Sequence, residues 1–233
     1  MRSRMFTLGK GVPIKTWNPF VGCKFLCTYC WAKRLAKRLK CDLCQLFVPH
    51  PHEERLKKIP KPKNGVVFVC DMGDISHAKI FGIEKILEAV MQAQEASNTT
   101  YFFETKDPSI YYTHILRHDL KPKQTIISTT IETNRSSLTE RLSLAPSPKE
   151  RYQGMKLLSW SRKHISVEPV MDFDLDVLFR WLTDIEPQCV SIGYDNYNNR
   201  LPEPPLSKTL KLINALENSG IKVERKTLRP AKQ

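Results

Sequence analysis

No stretch of this 233-residue sequence stays apolar for anything near 18 positions, so no segment reads as a bilayer-spanning helix. No low-complexity tract or long polar linker divides it either, and 41% apolar content is enough for one substantial core. The expectation is a single domain over residues 1–233, soluble and cytoplasmic, monomeric and with no membrane partner. Acidic residues are scarce beside basic ones: 24 Asp and Glu face 37 Lys and Arg, a net charge of +13. Such an excess favours encounter with polyanions without naming one, and a merely basic enzyme carries it too. An even set of cysteines is also missing. There are seven, five of them between Cys23 and Cys44, which argues against a secreted disulfide framework and for a metal held in a reducing compartment.

Short apolar, β-branched runs recur downstream at Val66–Cys70, Thr100–Glu104, Thr125–Ile131, His164–Val170 and Cys189–Tyr194, with a last short one at Ile221–Val223. They are apolar on successive residues, as strands covered on both faces are. Between them, Ile83–Ala96 and Leu206–Leu216 carry apolar residues at spacings of three and four, and Ser219-Gly220 closes the second. Trp31–Leu39, Pro108–Arg117, Lys149–Ser161 and Leu175–Thr183 are the other helical segments. With a first strand just before Cys23, the pattern predicts an α/β fold: a partial (β/α)6 TIM-type barrel of parallel strands and outer helices, its cysteine loop after the first strand.

Cys23, Cys27 and Cys30 form C-x3-C-x2-C. Three thiolates on one loop hold three irons of a cubane, and with no fourth protein ligand at this spacing the last iron is left to a small molecule. A structural zinc loop is the alternative, but zinc sites usually pair C-x2-C units or add histidines.

The spacing is the signature of the radical S-adenosylmethionine (SAM) superfamily, which this sequence resembles. Thr16-Trp17-Asn18-Pro19, His52-Glu53-Glu54-Arg55-Leu56, Val67-Phe68-Val69 leading to Met72-Gly73-Asp74, Thr105-Lys106-Asp107-Pro108 and Ser166-Val167-Glu168-Pro169 extend the likeness over roughly residues 14–195. They resemble a phage- and mobile-element-associated branch distantly similar to spore photoproduct lyase. The likeness implies a [4Fe–4S] cluster, SAM bound at its open iron and cleaved to a 5′-deoxyadenosyl radical, and an electron donor such as flavodoxin or ferredoxin. It further implies Tyr29 near the adenine and Gly73 with Asp74 receiving the SAM amino group. Lys106 would meet the methionyl carboxylate and Thr130 or Glu132 the ribose, with Glu168, Gly193 and Tyr194 at later strand ends. A polar strand-end residue is also often only a cap, as Asp74 before Ile75-Ser76 would be. The sequence departs from the branch in its extra pair Cys41 and Cys44, and in Gly193-Tyr194-Asp195, where relatives tend to have Gly-Gly-Glu.

Cys41-x2-Cys44 with His50 and His52 offers a second metal site, for zinc, against extra cluster ligation or inert thiols. Cys70, at a strand end, is a candidate hydrogen-atom donor; Cys189 reads as core. Lys33, Lys37 and Lys40, spaced as on one helix face, together with Lys57 and Lys58, are candidate phosphate contacts for a DNA or RNA substrate, or simply a solvated face. The expected function is hydrogen abstraction from a nucleic-acid base; the same chemistry on a peptide or small metabolite, or a non-catalytic metal-bearing nucleic-acid-binding module, are the alternatives.

Overall fold

The computed structural model describes residues 12–232. In chain order it contains β1 (Ile14–Trp17), β2 (Phe20–Val21), α1 (Trp31–Ala36), α2 (Asp42–Gln45), β3 (His50–Pro51), β4 (Val66–Val69), α3 (Ile83–Ala96) and β5 (Thr100–Thr105). Then follow α4 (Ser109–Thr113), β6 (Thr125–Thr130), α5 (Pro148–Leu157), β7 (Lys163–Val167), α6 (Leu175–Asp184), β8 (Cys189–Ile192), α7 (Leu206–Asn218) and β9 (Lys222–Arg225), with short 3-10 turns between. Among the described residues one seven-stranded sheet runs β1-β4-β5-β6-β7-β8-β9, and its first and last pairs are parallel. Strand order following chain order means that each crossover continues in one direction, as in a barrel and unlike a doubly wound sheet. No helix among the described residues is long and apolar enough to cross a membrane.

The interior strands β4, β6, β7 and β8 are buried at every position, including the hydroxyls of β6 and His164 of β7, whereas edge strands β1 and β9 are partly exposed. The first strand ends at Trp17 rather than beside Cys23, because Phe20 and Val21 leave the sheet and pair antiparallel with Pro51 and His50. Several helices stop short of their predicted ends. Helix α1 closes at Ala36, so Lys37 and Lys40 lie beyond it and do not share a helix face with Lys33; all three are nevertheless exposed, as are Lys57 and Lys58.

The chain folds as two compact units, residues 12–24, 32–104 and 110–127 in the first, 25–31, 105–109 and 128–232 in the second. In the first, Val66, Phe68, Phe102 and Ile126 form a core, with Phe68 and Phe102 edge-on at 4.9 Å, and α3 buries Ile83, Ile86, Leu87 and Val90. In the second, a capping box starts α5: Glu150 N donates to Ser147 Oγ (3.3 Å) and Ser147 N to Glu150 Oε2 (2.7 Å). Helix α7 ends in a Schellman motif. Gly220, at φ 87°, lets Ile221 N reach Leu216 O (3.0 Å) and donates to Glu217 O (3.0 Å).

Candidate active site

In the first unit, motifs far apart in sequence are stitched into one frame around Gly22 and Cys23. Asn18 Oδ1 accepts from Met72 N (2.9 Å) and Asn18 Nδ2 donates to Asp71 (2.5 Å). Arg55 donates to Asn18 O (2.9 Å), Trp17 Nε1 to Arg55 O (3.0 Å) and His52 N to Pro19 O (2.6 Å). Burial pushes the Asp71 carboxyl up to about 6, against the Asn18 hydrogen bond that lowers it. Two glycines let backbones meet here. Gly22, at φ 96°, donates to Met72 O (3.0 Å) and accepts from Asp74 N (3.4 Å); a Cβ on Gly73 would lie 2.7 Å from Gly22 O and one on Gly22 2.4 Å from Val48 O.

Asp74 behaves as the cap that its sequence context allowed: its carboxylate accepts from Ser76 N (3.0 Å) and Ser76 Oγ (2.7 Å). His77 Nε2 accepts from Lys24 N (3.3 Å), next to Cys23. These residues border a largely apolar cavity of about 350 Å³ lined by Lys24, Val48, Ser76, His77, Ile80 and Phe81 among others, a size that suits a small ligand. Cys70 is buried, its thiol pushed far up by that burial and so held as S–H, and Cys189 is buried as expected of a core residue.

Cys23, Cys27 and Cys30 are held in no disulfide and are partly exposed. Cys23 N donates to Phe47 O (3.3 Å) in the first unit. In the second, Thr28 N donates to Leu142 O (2.9 Å), Leu144 N to Phe25 O (2.7 Å) and Cys30 N to Cys27 O (3.2 Å), while Cys27 Sγ lies 3.1 Å from Ser143 Oγ. Cys27 also packs against the apolar group of Tyr29, Met171 and Leu201.

Tyr29, Lys106, Thr130 and Glu132, predicted as separate contacts, form one polar cluster in the second unit. Tyr29 donates to Glu132 (3.0 Å); Lys106 bonds Thr130 Oγ1 (2.7 Å) and pairs closely with Glu132. The sequence reading missed the fifth member. Arg151, 1% exposed, donates to Thr130 O (2.6 Å), Thr130 Oγ1 (2.7 Å) and Glu132 Oε2 (2.8 Å). Its signal was a charge on the stripe Pro148, Arg151, Met155, the buried positions of α5. Burial alone would raise the Glu132 carboxyl, but Arg151 and then Lys106 outweigh it and hold the group ionised, well below the usual carboxylate range. Burial first, then the Glu132 charge, pushes the Tyr29 phenol well up, so it stays a donor.

Of the later strand ends, Tyr194 sends its hydroxyl to Pro204 O (2.9 Å), to which it donates, and to Thr209 Oγ1 (2.8 Å), and Arg229 stacks over its ring at 5.2 Å. Gly193 is a close-approach glycine, donating to Val167 O (3.2 Å), with 2.7 Å between a built Cβ and Lys226. Glu168 is half-buried beside it. Cys41, Cys44, His50 and His52 come together, their ligand atoms all within 4.8 Å of one another.

A family model described as "Protein of unknown function (DUF5131)" matches residues 13–179, a span that takes in the cysteine loop, the stitched motifs and Arg151 but ends before Gly193. The chain belongs to that family. No curated protein matches this member in sequence. Among solved structures it is similar to SuiB of Streptococcus suis (13% identity, TM-score 0.56, 92% of this chain and 48% of that one). It is also similar to methylornithine synthase, PylB (13%, 0.57, 95% and 74%), and to a spore photoproduct lyase mutant with a dinucleoside spore photoproduct (11%, 0.53, 87% and 60%). The chain thus spans about half the length of SuiB. What these likenesses show is the fold, a partial β/α barrel, which is the fold class expected from the sequence.

Proposed function

We propose that this family member is a radical SAM enzyme in which Cys23, Cys27 and Cys30 hold three irons of a [4Fe–4S] cluster and leave the fourth to SAM. One observation carries the reading: the three thiols, in no disulfide and partly exposed, stand on a single loop whose backbone is fastened at Cys23, Phe25, Thr28 and Cys30, a donor set suited to a cubane. The likeness of fold to SuiB, also solved with S-adenosylmethionine bound, supports it. When bound, the cluster and SAM supply a one-electron reductant and a 5′-deoxyadenosyl group that takes hydrogen from substrate.

The chain's own residues would place those groups. Gly22 and Gly73 hold the strand-end backbones close enough to present carbonyls and amides where a bulkier residue would fill the space. In the polar cluster two cations, Lys106 and Arg151, face one carboxylate, Glu132. That leaves an excess of positive charge, and Lys106, the less buried cation, is the one suited to receive the SAM carboxylate. Asp74 uses Oδ1 for its cap, and its carboxylate would still receive the SAM amino group.

The substrate we favour is a base of DNA or RNA. The net charge of +13 and the exposed Lys33, Lys37, Lys40, Lys57 and Lys58 suit phosphate contact, and a solved structure of similar fold holds a dinucleoside. The same surface suits an acidic flavodoxin or ferredoxin as donor, and cysteines held in no disulfide suit the reducing cytoplasm.

The test is anaerobic. Reconstituted wild type is expected to carry about four irons and four sulfides per chain, and to release 5′-deoxyadenosine from SAM with dithionite. The Cys23→Ala, Cys27→Ala, Cys30→Ala variant should do neither; a full cluster in it would sink the assignment. Offering total RNA, DNA and cell extract in turn, with mass spectrometry for altered nucleosides, reads the substrate. Stimulation by extract alone would point to a peptide or small metabolite.

A further inference from the structure

We infer that Cys41, Cys44, His50 and His52 form a tetrahedral Zn²⁺ site, separate from the cysteine loop, that fixes the strand leading into Cys23. Cys41 stands at the N-cap of the single turn α2, which carries Cys44; His50 opens strand β3 and His52 directly follows that strand. Cys41 Sγ and Cys44 Sγ each lie 3.5 Å from His50 Nε2, and Cys44 Sγ lies 3.1 Å from His52 Nε2. With zinc–sulfur and zinc–nitrogen bonds of about 2.3 and 2.0 Å, ligand atoms of a tetrahedron stand about 3.3–3.8 Å apart, so the array is near the size that one ion requires.

The tautomers agree. His50 Nδ1 lies 2.7 Å from Val48 O, which only accepts, so the proton sits on Nδ1 and the Nε2 lone pair faces both thiols. His52 Nδ1 lies 3.2 Å from Glu54 Oε1, the carboxylate–histidine arrangement that orients metal-bound imidazoles. Thiol-to-imidazole hydrogen bonds from Cys41 to His50 and from Cys44 to His52 account for two of the three sulfur–nitrogen contacts, whereas a cation at the centre accounts for all three and engages all four groups. A Rieske-type [2Fe–2S] centre uses the same residues but puts both cysteines on one iron and both histidines on the other, which this interleaving of sulfur and nitrogen does not suit.

Its consequence reaches Cys23. His50 pairs with Val21, Pro19 O accepts from His52 N (2.6 Å), and Phe47 O accepts from Cys23 N (3.3 Å). Two thiolates and two neutral imidazoles balance the ion's charge, so Zn²⁺ here staples residues 41–52 to 19–23 without adding net charge, and all four positions being taken makes the site structural.

The inference does not depend on the radical SAM reading and is measured apart from it. Anaerobically purified wild type should hold about one zinc per chain, and zinc-edge X-ray absorption should give two sulfurs at about 2.3 Å and two nitrogens at about 2.0 Å. The Cys41→Ser, Cys44→Ser variant should lose about nine-tenths or more of that zinc, while the Cys23→Ala, Cys27→Ala, Cys30→Ala variant keeps it and loses iron. Because the double variant could misfold, Co²⁺ substitution of the unaltered chain supplies a second reading, with tetrahedral d–d bands and a thiolate charge-transfer band expected. Wild type without stoichiometric zinc or a tetrahedral cobalt spectrum, equal zinc in the double variant, or a [2Fe–2S] signal that depends on Cys41 and Cys44 would each overturn it.

Discussion

A single carboxylate, Glu132, organises the polar cluster of the second unit. It is fully buried and receives Arg151, Lys106 and Tyr29, so removing its charge takes from the buried Arg151 the carboxylate it pairs with. Glu132→Gln is therefore expected to lower unfolding stability at pH 7 by about 3 kcal/mol or more, because losing one partner of a buried ion pair strands the other. Urea unfolding of the apoprotein measures this, and a loss below about 1 kcal/mol would mean Arg151 is better solvated than its burial implies. The sequence placed Glu132, Lys106, Thr130 and Tyr29 among cofactor contacts but gave no reason to join them. Arg151 had no such placing, since a helical arginine is ordinarily a surface residue, and only the docking of α5 turns its stripe of Pro148, Arg151 and Met155 inward.

Elements carry a second buried titratable group. On β7, His164 meets Ser128 Oγ of β6 at 2.8 Å and Ser191 Oγ of β8 at 2.9 Å, spanning three strands. Burial, with a smaller contribution from Lys226, holds its imidazole down at about 3. Since the folded chain resists protonation and the unfolded chain takes it up near pH 6.5, this stabilisation is fully present above pH 6.5. It is lost as pH falls from there towards 3, by up to several kcal/mol at an approximate 1.4 kcal/mol per pH unit. The thermal midpoint should fall between pH 7 and pH 4, and His164→Asn should flatten that slope; an unchanged slope would place the acid sensitivity elsewhere. The run His164–Val170 was legible as a strand from its apolar residues, and its one imidazole was no obstacle because two neighbouring strands supply hydroxyls. The helix ends were less legible. Trp31–Leu39 reads as one amphipathic helix but closes at Ala36, which separates Lys37 and Lys40 from the face of Lys33.

For the whole molecule, the charge of +13 matters more than any single lysine. If nucleic acid is the substrate, log affinity should fall with log salt at about −0.7 to −0.9 per phosphate neutralised, and Lys33→Glu, Lys37→Glu should flatten that dependence. Binding no tighter than to heparin at physiological salt, with no stimulation of 5′-deoxyadenosine release, would remove nucleic acid from consideration. By itself the sequence determined the parallel α/β pattern, the C-x3-C-x2-C loop and the second Cys/His group, because strand burial and metal ligation are written in local residue order and spacing. Only the tertiary structure decided that Thr16–Pro19, His52–Leu56 and Asp71–Asp74 brace one another around Gly22, that Asp74 and Tyr194 bond their own neighbours, and that Arg151 belongs with Glu132. Those pairings join residues tens of positions apart, and which long-range partner satisfies a buried polar group is settled by packing, which local spacing does not encode.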